Sequence, residues 1–391
     1  MSLAPSTPDS SRPSSVLVQE PPLLDQSHLR PGHKASLLSH AQTLELYRQN
    51  AKKTNDPAIQ FEFAAFMVEA SNTMNDENPK KKDELIKEGL ALLKKLSDRG
   101  HAQSQFYLGD CYANGIGTSK GKPDFEKAFP LFVHASKHGH PDAAYRAAMC
   151  YENGMGCKRD PSKALQFYRK AASSQHPGAM YRLGMAELNG GLSLSKNPRD
   201  GVKWLKRSAE AATEDFPHAL HELAELHING VENVVFVDIE YAVQLLVRAA
   251  DLNYAPSAFK LAECYEYGKL ICPRDAALSL HYYTIAAQQN HPEACFALTS
   301  WYLVGLPGVL PQSDSEAFLW AKKAADQGLA KAEYAVGYFT EMGIGVKKDL
   351  LDAHAWYRRA AAHGDVRAQQ RLQGAPTTQK NNNKKNDCVI S

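Results

Sequence analysis

The chain has 391 residues, and its hydrophobic fraction of 43% allows a substantial core, either in two or three domains or in one elongated repeat array. Its 45 Lys and Arg residues nearly balance its 43 Asp and Glu residues, so the net charge of +2 supplies no strong field for capturing nucleic acid. Its seven cysteines are an odd number without a Cys-x-x-Cys pair, which argues against a disulfide framework and against a zinc ribbon.

The first 36 residues contain six prolines and eight serines without hydrophobic periodicity, a composition that predicts a disordered leader. This leader lacks the basic and apolar regions of a signal peptide, and Ser2 stands where N-myristoylation requires glycine. No apolar stretch of the sequence approaches the roughly 20 residues of a membrane-spanning helix. We therefore expect a cytosolic protein, unless a lipid attaches it to a membrane.

Two helices and a degenerate first repeat are predicted for residues 37–100. The first helix is amphipathic and would run from Leu37 through Lys53. The second would cover Phe61–Ala70, and its apolar face would hold Phe63, Phe66 and Met67.

Beyond residue 100 the sequence repeats. An apolar residue that follows a small residue by four positions recurs every 36 to 40 residues, at Leu108, Ala147, Leu183, Leu223, Leu261, Leu298, Val336 and Leu372. A period of this length is typical of stacked supersecondary units rather than of a single globule.

Each unit is predicted to contain two helices. In the second unit the first helix would cover Ala143–Tyr151, and Gly154 and the next glycines would end it. The second helix would cover Lys163–Ala172, with Asp160 at its N-cap and Pro161 in its first turn.

Small residues recur at fixed positions of the second helices and predict close contact between neighbouring units, as at Ala164, Ala171, Ala172, Ala242, Ala249, Ala250, Ala317, Ala324, Ala325, Ala353, Ala360 and Ala361. Large residues between them, such as Tyr168 and Trp356, would fill the adjoining space. This alternation predicts an all-α fold. It would be a right-handed α-solenoid of about seven to eight helical-hairpin repeats over residues 101–374, between disordered N- and C-terminal tails.

Two patterns resemble catalytic or ligand-binding motifs, but we interpret both as structural. His221 and His227 are six residues apart, whereas a zinc-protease helix needs two histidines four apart, and other units hold aromatic residues at both positions. The Gly-x-Gly pairs, such as Gly154 with Gly156, follow no predicted strand and fit hairpin turns. No serine or cysteine lies in a nucleophile elbow, so we expect neither catalysis, nor a metal or other cofactor, nor a small-molecule substrate.

One column of residues is a candidate partner-binding surface. The position before the repeated apolar residue holds charged side chains that stacking would align along the first helices, namely Arg146, Arg182, Glu222 and Lys260. In solenoids of this type that surface is concave and binds partners. A merely solvated face is the alternative interpretation.

The C-terminus carries a prenylation signal, in which a cysteine, two aliphatic residues and a serine end the chain. Ser391 in the last position favours a farnesyl group on Cys388. Residues 375–391 are predicted to be flexible, and Lys380, Lys384 and Lys385 would attract an anionic membrane surface. A free cysteine in a frayed tail is the alternative.

The repeat motif Ala-x-x-x-Leu-Gly-x-x-Tyr, then Gly-x-Gly, then Lys-Ala-x-x-Tyr-x-Lys-Ala-Ala resembles the Sel-like repeat, a relative of the tetratricopeptide repeat. The resemblance covers roughly residues 55–374 and is close at Leu108, Gly109, Tyr112, Gly115 and Gly117. The third unit departs from it by inserting glycines at residues 190 and 191, and the fourth replaces the glycine turn by residues 231–237. We expect longer loops at both places.

The segment before the repeats resembles the start of the fungal chitin synthase activator family. The matching stretches are Pro31–Leu38, Thr43–Lys53, Asn55–Pro57 and Phe61–Phe63. Members of that family combine this leader with Sel-like repeats, and several end in a prenylation box.

This resemblance implies a non-catalytic regulatory subunit that binds the catalytic subunit of a chitin synthase. It would act in cell wall and septum chitin synthesis at the cytoplasmic face of the plasma membrane, and be partly cytosolic. The alternative is a scaffold for a different septation or cell-cycle signalling client. A hydrolase of the kind claimed for some bacterial repeat proteins would need a nucleophile or metal site that the sequence does not show.

Overall fold

The computed structural model describes residues 55–73, 79–119 and 121–374, together with Arg48. Every helix given below belongs to the compact unit that begins at Pro57. Within the described ranges the chain is helical, and extended pairing is limited to the isolated bridges Val231 with Val235 and Leu306 with Leu310. The predicted all-α class is therefore confirmed.

The described residues of this unit form seventeen helices, of which twelve, α4 to α8 and α10 to α16, have the same length of 13 residues. Their bounds are α1 Pro57–Thr73, α2 Pro79–Asp98, α3 Ala102–Ala113, α4 Phe125–Lys137, α5 Pro141–Asn153, α6 Pro161–Ser173, α7 Pro177–Asn189, α8 Pro198–Glu210, α9 His218–Asn229, α10 Ile239–Asp251, α11 Ala255–Tyr267, α12 Ala276–Gln288, α13 Pro292–Val304, α14 Asp314–Asp326, α15 Ala330–Met342, α16 Leu350–Ala362 and α17 Val366–Gly374.

The helices pair into hairpins that stack in sequence order. Helices α1 and α2 form an N-terminal hairpin, α3 to α16 form seven more, and α17 packs on the last of these. Each helix packs mainly against its neighbours in the chain. We call the odd-numbered helices from α3 onward the first helices and the even-numbered ones from α4 onward the second helices. This arrangement is the α-solenoid that the repeat period predicts.

The helices agree with the sequence predictions in position and extend beyond them. The helix predicted over Phe61–Ala70 is α1, in which Phe63 and Met67 are buried. The two helices predicted for the second unit are α5 and α6, each longer by one or two residues at both ends. The amphipathic helix expected from Leu37 through Lys53 lies outside the described residues except for Arg48.

Short polar side chains begin the second helices. Asp160 accepts a hydrogen bond of 3.0 Å from the backbone N–H of Lys163, which confirms the predicted cap of α6. Each such cap contributes about 1 kcal/mol to stability. The same role is taken in the other second helices by Asp124, Asn197, Asp238, Asp275, Ser313 and Asp349.

The Gly-x-Gly turns require glycine for two separate reasons. Gly154 and Gly156 have φ angles of 73° and 67°, in the left-handed region that other residues adopt at a cost. In addition, a Cβ on Gly156 would lie 2.0 Å from the carbonyl oxygen of Phe125, at the start of α4. Gly345 approaches the carbonyl oxygen of Asp314 in the same way. Each turn thus rests on the second helix of the preceding repeat, and the interpretation as a hairpin turn is confirmed.

The core is a row of alanines between the second helices, with large residues beside them. Ala164, Ala171, Ala242 and Ala249 are completely buried, and Tyr168 is only 1% exposed. Five cysteines among the described residues are buried and Cys157 is half-buried, all as free thiols. The predicted small-against-large packing is therefore confirmed.

The loops of the two units that depart from the repeat motif span residues 190–197 and 230–238, against residues 154–160 in the second unit, so the expectation of longer loops is confirmed. In the third unit Leu192 and Ser193 adopt left-handed backbone angles of 51° and 64°. In the fourth unit Val231 and Val235 exchange backbone hydrogen bonds of 2.8 and 2.9 Å, and the exposed side chain of Phe236 follows. No helix in the described part of the chain is both long enough and apolar enough to cross a bilayer.

Candidate interaction surface on the first helices

The four charged residues of the predicted column occupy the same position on α5, α7, α9 and α11. We call the residue before each repeated apolar residue the ladder position. Three of the four candidates extend back toward the preceding first helix, and each pairs there with a carboxylate. The residues of the column are Arg146, Arg182, Glu222 and Lys260.

Arginine and lysine at the ladder position link consecutive first helices. Arg146 of α5 lies 3.2 Å from a carboxylate oxygen of Asp110 in α3. Lys260 of α11 pairs with Glu225 of α9. Because these side chains remain partly exposed, each pair alone stabilises the fold modestly, by roughly 0.2–1 kcal/mol.

The pair between Arg182 and Glu152 has fuller geometry. The guanidinium donates from Nε to Oε2 at 3.2 Å and from a second nitrogen to Oε1, so it contacts the carboxylate with two parallel bonds. The Tyr168 hydroxyl donates to the same carboxylate at 2.6 Å. Burial by itself would raise the pKa of Glu152, but the bonds from Arg182 and Tyr168 outweigh it and lower that pKa.

The same three-residue arrangement closes the solenoid at α17. Arg371 lies 2.7 Å from Oε2 of Glu341, and Tyr357 donates to that oxygen at 2.6 Å. The guanidinium also stacks over the Tyr357 ring at 5.3 Å from its centroid. Arg371 is absent from the predicted column, although it precedes Leu372, the last repeated apolar residue. Extending the column to that residue would have found it.

Glu222 differs from the other members of the column. Its carboxyl is half-buried on α9, with the hydroxyls of Tyr181 and Tyr254 close enough to feel its charge. Burial, reinforced by the negative charge of Glu225, raises the pKa of Glu222. This side chain is therefore not equivalent to the cations above and below it.

The two histidines of α9 take up the packing roles predicted for them. Nδ1 of His221 lies 2.9 Å from the Ser257 hydroxyl, and its ring meets the Tyr254 ring edge-on at 5.6 Å. The ring of His227 meets Tyr241 edge-on at 4.9 Å. Both histidines thus pack at positions where other repeats have aromatic rings.

Other histidines perform a task that the sequence did not reveal. His140 precedes α5, and its Nδ1 accepts a 3.3 Å hydrogen bond from the backbone N–H of Ala143. Its ring stacks on Phe106 of the preceding first helix at 4.5 Å. The stacking and capping recur at His176 and His291. Burial lowers the pKa of His140 and of His291, which keeps the accepting nitrogen unprotonated.

Basic residues of the Lys-Ala-Ala motif also have a structural task. Arg248, Lys323 and Arg359 donate to the backbone oxygens of Ala209, Ala287 and Ala325, near the ends of the preceding second helices. A cation there satisfies an orphan carbonyl and opposes the negative end of the helix dipole. Charged side chains therefore join neighbouring repeats on both layers of helices, through ion pairs between the first helices and through hydrogen bonds to backbone carbonyls between the second helices.

The membrane-binding candidates cannot be placed in this geometry. Cys388, Lys380, Lys384 and Lys385 lie outside the described residues, so their roles stay predictions.

Comparison with known proteins extends these observations. The profile of the Sel1 repeat matches seven consecutive segments of the chain, at residues 102–140, 141–176, 177–212, 217–254, 255–291, 292–329 and 330–365. Each segment contains one hairpin of a first and a second helix.

Several fungal proteins are similar over most of the chain. Chitin synthase regulator SKT5 of Malassezia restricta is 60% identical over 360 residues, covering 90% of this chain and 25% of the relative. The protein of the same name from Saccharomyces cerevisiae is 39% identical and covers 91% of this chain and 54% of the relative. Chitin synthase regulatory factor 3 of Schizosaccharomyces pombe is 36% identical and covers 69% and 29%. The chain thus spans a quarter to about half of the length of these relatives.

Solved structures support the fold. A Sel1 repeat protein from Oxalobacter formigenes superposes with a TM-score of 0.55 at 28% identity, covering 85% of this chain and 89% of that one. A protective antigen of uropathogenic Escherichia coli with an SLR fold gives a TM-score of 0.58 at 23% identity, covering 84% and 66%.

Proposed function

The chain belongs to the Sel1 repeat family, and we propose that it is a non-catalytic adaptor that binds a membrane chitin synthase and promotes its activity or localisation in cell wall and septum chitin synthesis. The observation that carries this proposal is the 60% identity, over 360 residues, to a protein named as a chitin synthase regulator. The alignment covers 90% of the chain, so it includes most of the repeats. The repeats are accordingly the part of the chain that we propose to contact the synthase.

The architecture supports binding rather than catalysis. Successive first helices present one continuous surface, and the ion pairs between them hold its charged side chains in set positions. A surface of this length can contact a partner along several repeats at once. If it binds an active conformation of the synthase in preference to an inactive one, it shifts the population toward activity.

Attachment to the membrane forms the second part of the proposal. A single lipid chain binds a bilayer with an association constant of only roughly 10⁴ M⁻¹, so a farnesyl group on Cys388 would give reversible attachment. Lys380, Lys384 and Lys385 would each add about 1 kcal/mol at an anionic cytoplasmic surface. Confinement to the plasma membrane raises the concentration of the adaptor near its membrane-embedded partner, as a second binding module does.

Affinity capture from detergent-solubilised fungal membranes tests the adaptor function. The full chain, immobilised through an N-terminal tag, is expected to retain the catalytic subunit of a chitin synthase. The Cys388→Ser variant is the control, because detergent removes the need for the lipid and capture should persist. Recovery of a septation or cell-cycle signalling protein without any synthase would favour a scaffold for that other client.

A further inference from the structure

The ladder positions follow a charge rule from one first helix to the next. In each first helix, the residues three and six positions after the ladder residue lie on one side of the helix. These two residues face the ladder residue of the next first helix, and we call them the facing residues. Where one of these two residues is acidic, the next ladder residue is a cation. The four pairs are Asp110 with Arg146, Glu152 with Arg182, Glu225 with Lys260 and Glu341 with Arg371.

The rule also holds where no acid is present. In α7 the two facing residues are Met185 and Leu188, and the next ladder residue is Glu222. In α13 they are Ser300 and Leu303, and the next ladder residue is Ala335. Cations therefore occupy the ladder position where the preceding first helix places a carboxylate opposite it.

The junction between α11 and α13 breaks this rule. Helix α11 has acids at both facing positions, Glu263 and Glu266, whereas the ladder residue of α13 is Ala297. Among the residues that the structure describes, no cationic side chain forms an ion pair with Glu263 or Glu266. Glu293, which also faces this region, is paired with Lys331 of α15.

A groove occupies the place of the missing cation. It has a volume of about 430 Å³, and Glu263, Glu266 and Ala297 lie along it. Aromatic side chains, among them Phe259, Tyr283 and Trp301, form much of the remaining lining. The paired side chains of Glu293 and Lys331 also border the groove, and the partner of Lys331 is Glu293 rather than Glu263 or Glu266. Val304, which is 79% exposed, continues the apolar lining to the edge of the groove.

The junctions at Glu152 and at Glu341 indicate which chemical group fits the groove beside Glu266. Tyr283 donates to Glu266 at 2.5 Å, as Tyr168 donates to Glu152 and Tyr357 to Glu341. In those two cases the tyrosine and the carboxylate together hold the guanidinium of an arginine, Arg182 or Arg371. At Glu266 the tyrosine and carboxylate are present and the arginine is missing.

We propose that this groove binds an arginine side chain from a partner polypeptide, which takes the position that Arg182 and Arg371 occupy within the chain. The guanidinium pairs with Glu266 and Glu263, and aliphatic residues flanking the arginine pack on Trp301 and Val304. For the identity of the partner the inference rests on the proposed function, in which that polypeptide is the chitin synthase.

Arginine is favoured over lysine by the geometry of the two internal examples. Arg182 contacts Glu152 with two nitrogens, and Arg371 stacks over Tyr357, which are interactions of a planar guanidinium rather than of an ammonium group. The chain's own basic tail over residues 375–391 contains lysines but no arginine. A partner polypeptide therefore fits the groove better than this tail.

Titration of the purified full chain with a labelled peptide tests the groove directly. The probe is a fluorescein-labelled peptide in which one arginine stands between two leucines, and its control carries citrulline, which has the same shape without the charge. We expect the wild-type chain to bind the arginine probe at least about tenfold more tightly than the citrulline probe in fluorescence anisotropy.

Two variants at ladder positions make the test specific. Ala297→Arg restores the missing cation within the chain, so it should occupy the groove, raise the melting temperature and abolish the preference for the arginine probe. Ala335→Arg places the same residue opposite Ser300 and Leu303, and it should bind the probes as the wild type does. Equal binding of both probes by the wild type, or equal loss in both variants, would overturn the proposal.

Capture of the synthase separates this inference from the proposed function. Retention by the wild type and by Ala335→Arg, with loss in Ala297→Arg, assigns the arginine to the synthase. Retention by all three proteins would overturn that assignment and leave the adaptor function intact. A triple Lys380→Gln, Lys384→Gln, Lys385→Gln variant that binds the arginine probe more tightly would instead identify the chain's own tail as the occupant, against the proposal.

Discussion

The hydroxyl of Tyr168 donates a 2.6 Å hydrogen bond to Oε2 of Glu152, across the hairpin formed by α5 and α6. The same bond joins Tyr283 to Glu266 and Tyr357 to Glu341. It fixes a carboxylate at the end of a first helix, where the next repeat approaches. The tyrosine bond within one hairpin thus orients the carboxylate that can pair with a cation of the next hairpin.

Removal of this hydroxyl is expected to weaken the fold. Tyr168→Phe keeps the ring, which is 1% exposed, but deprives Glu152 of one donor. We expect the free energy of unfolding in urea to fall by about 1 kcal/mol. Tyr145→Phe in the same hairpin is the control, because no hydrogen bond of the Tyr145 hydroxyl is found among the described residues. An unchanged urea midpoint for Tyr168→Phe would show that the bond contributes nothing.

The two reasons for glycine in the turns can be separated by mutation. Gly139 and Gly156 both have left-handed φ angles, 88° and 67°, but a Cβ on Gly139 meets no atom within 4 Å. Gly139→Ala should therefore cost only about 1–2 kcal/mol for the backbone angle. Gly156→Ala must in addition displace α4, and its loss of stability should be clearly larger. Similar melting temperatures for the two variants would rule out a tight contact with Phe125.

The capping histidines predict a loss of stability in mild acid. Burial lowers the pKa of His140 and of His291 in the folded chain below their ordinary value of 6.5. Protonation is therefore easier in the unfolded state, and the contribution of these caps is complete above pH 6.5 and declines as the pH falls through the lowered pKa values.

Replacement of both histidines by asparagine tests this pH dependence. Asparagine caps a helix N-terminus without titrating in this range. The double variant His140→Asn, His291→Asn should lose less stability than the wild type between pH 7.5 and pH 5.5, measured by chemical denaturation. Groups common to both proteins cancel in this comparison. Parallel pH profiles would mean that the two histidines do not contribute.

The proposed lipid anchor predicts a change in membrane fractionation. Cys388→Ser removes the sulfur that would carry the farnesyl group, and we expect the protein to move from the membrane pellet to the soluble fraction of a fungal lysate. Cys157→Ser is the matched control, because this thiol is half-buried within the solenoid. Pelleting of Cys388→Ser to the wild-type extent would exclude the anchor from the mechanism, and chitin deposition in the same cells would report its functional effect.

The repeat period, the hairpins and the core were all predictable from the sequence. Local signals carry them: Leu183 and its equivalents mark the period, Asp160 begins a helix and Gly154 ends one. These signals act within a few residues of the chain. Because each hairpin packs against its neighbours in sequence, the order of stacking follows from the order of the repeats.

Contacts between repeats depended on the tertiary structure. The sequence placed Arg146, Arg182 and Lys260 in one column, but only the packed helices show that each pairs with a carboxylate of the preceding repeat, about 30 to 36 residues earlier. Capping by His140 was equally hidden, since histidine is not a typical N-cap residue. The absence of a cation at Ala297 is significant only because Glu263 and Glu266 lie opposite this residue, which the packed helices show. Local propensity determines where helices begin and end, whereas the partner of a long charged side chain depends on which helix faces the repeat, and that geometry is set by packing.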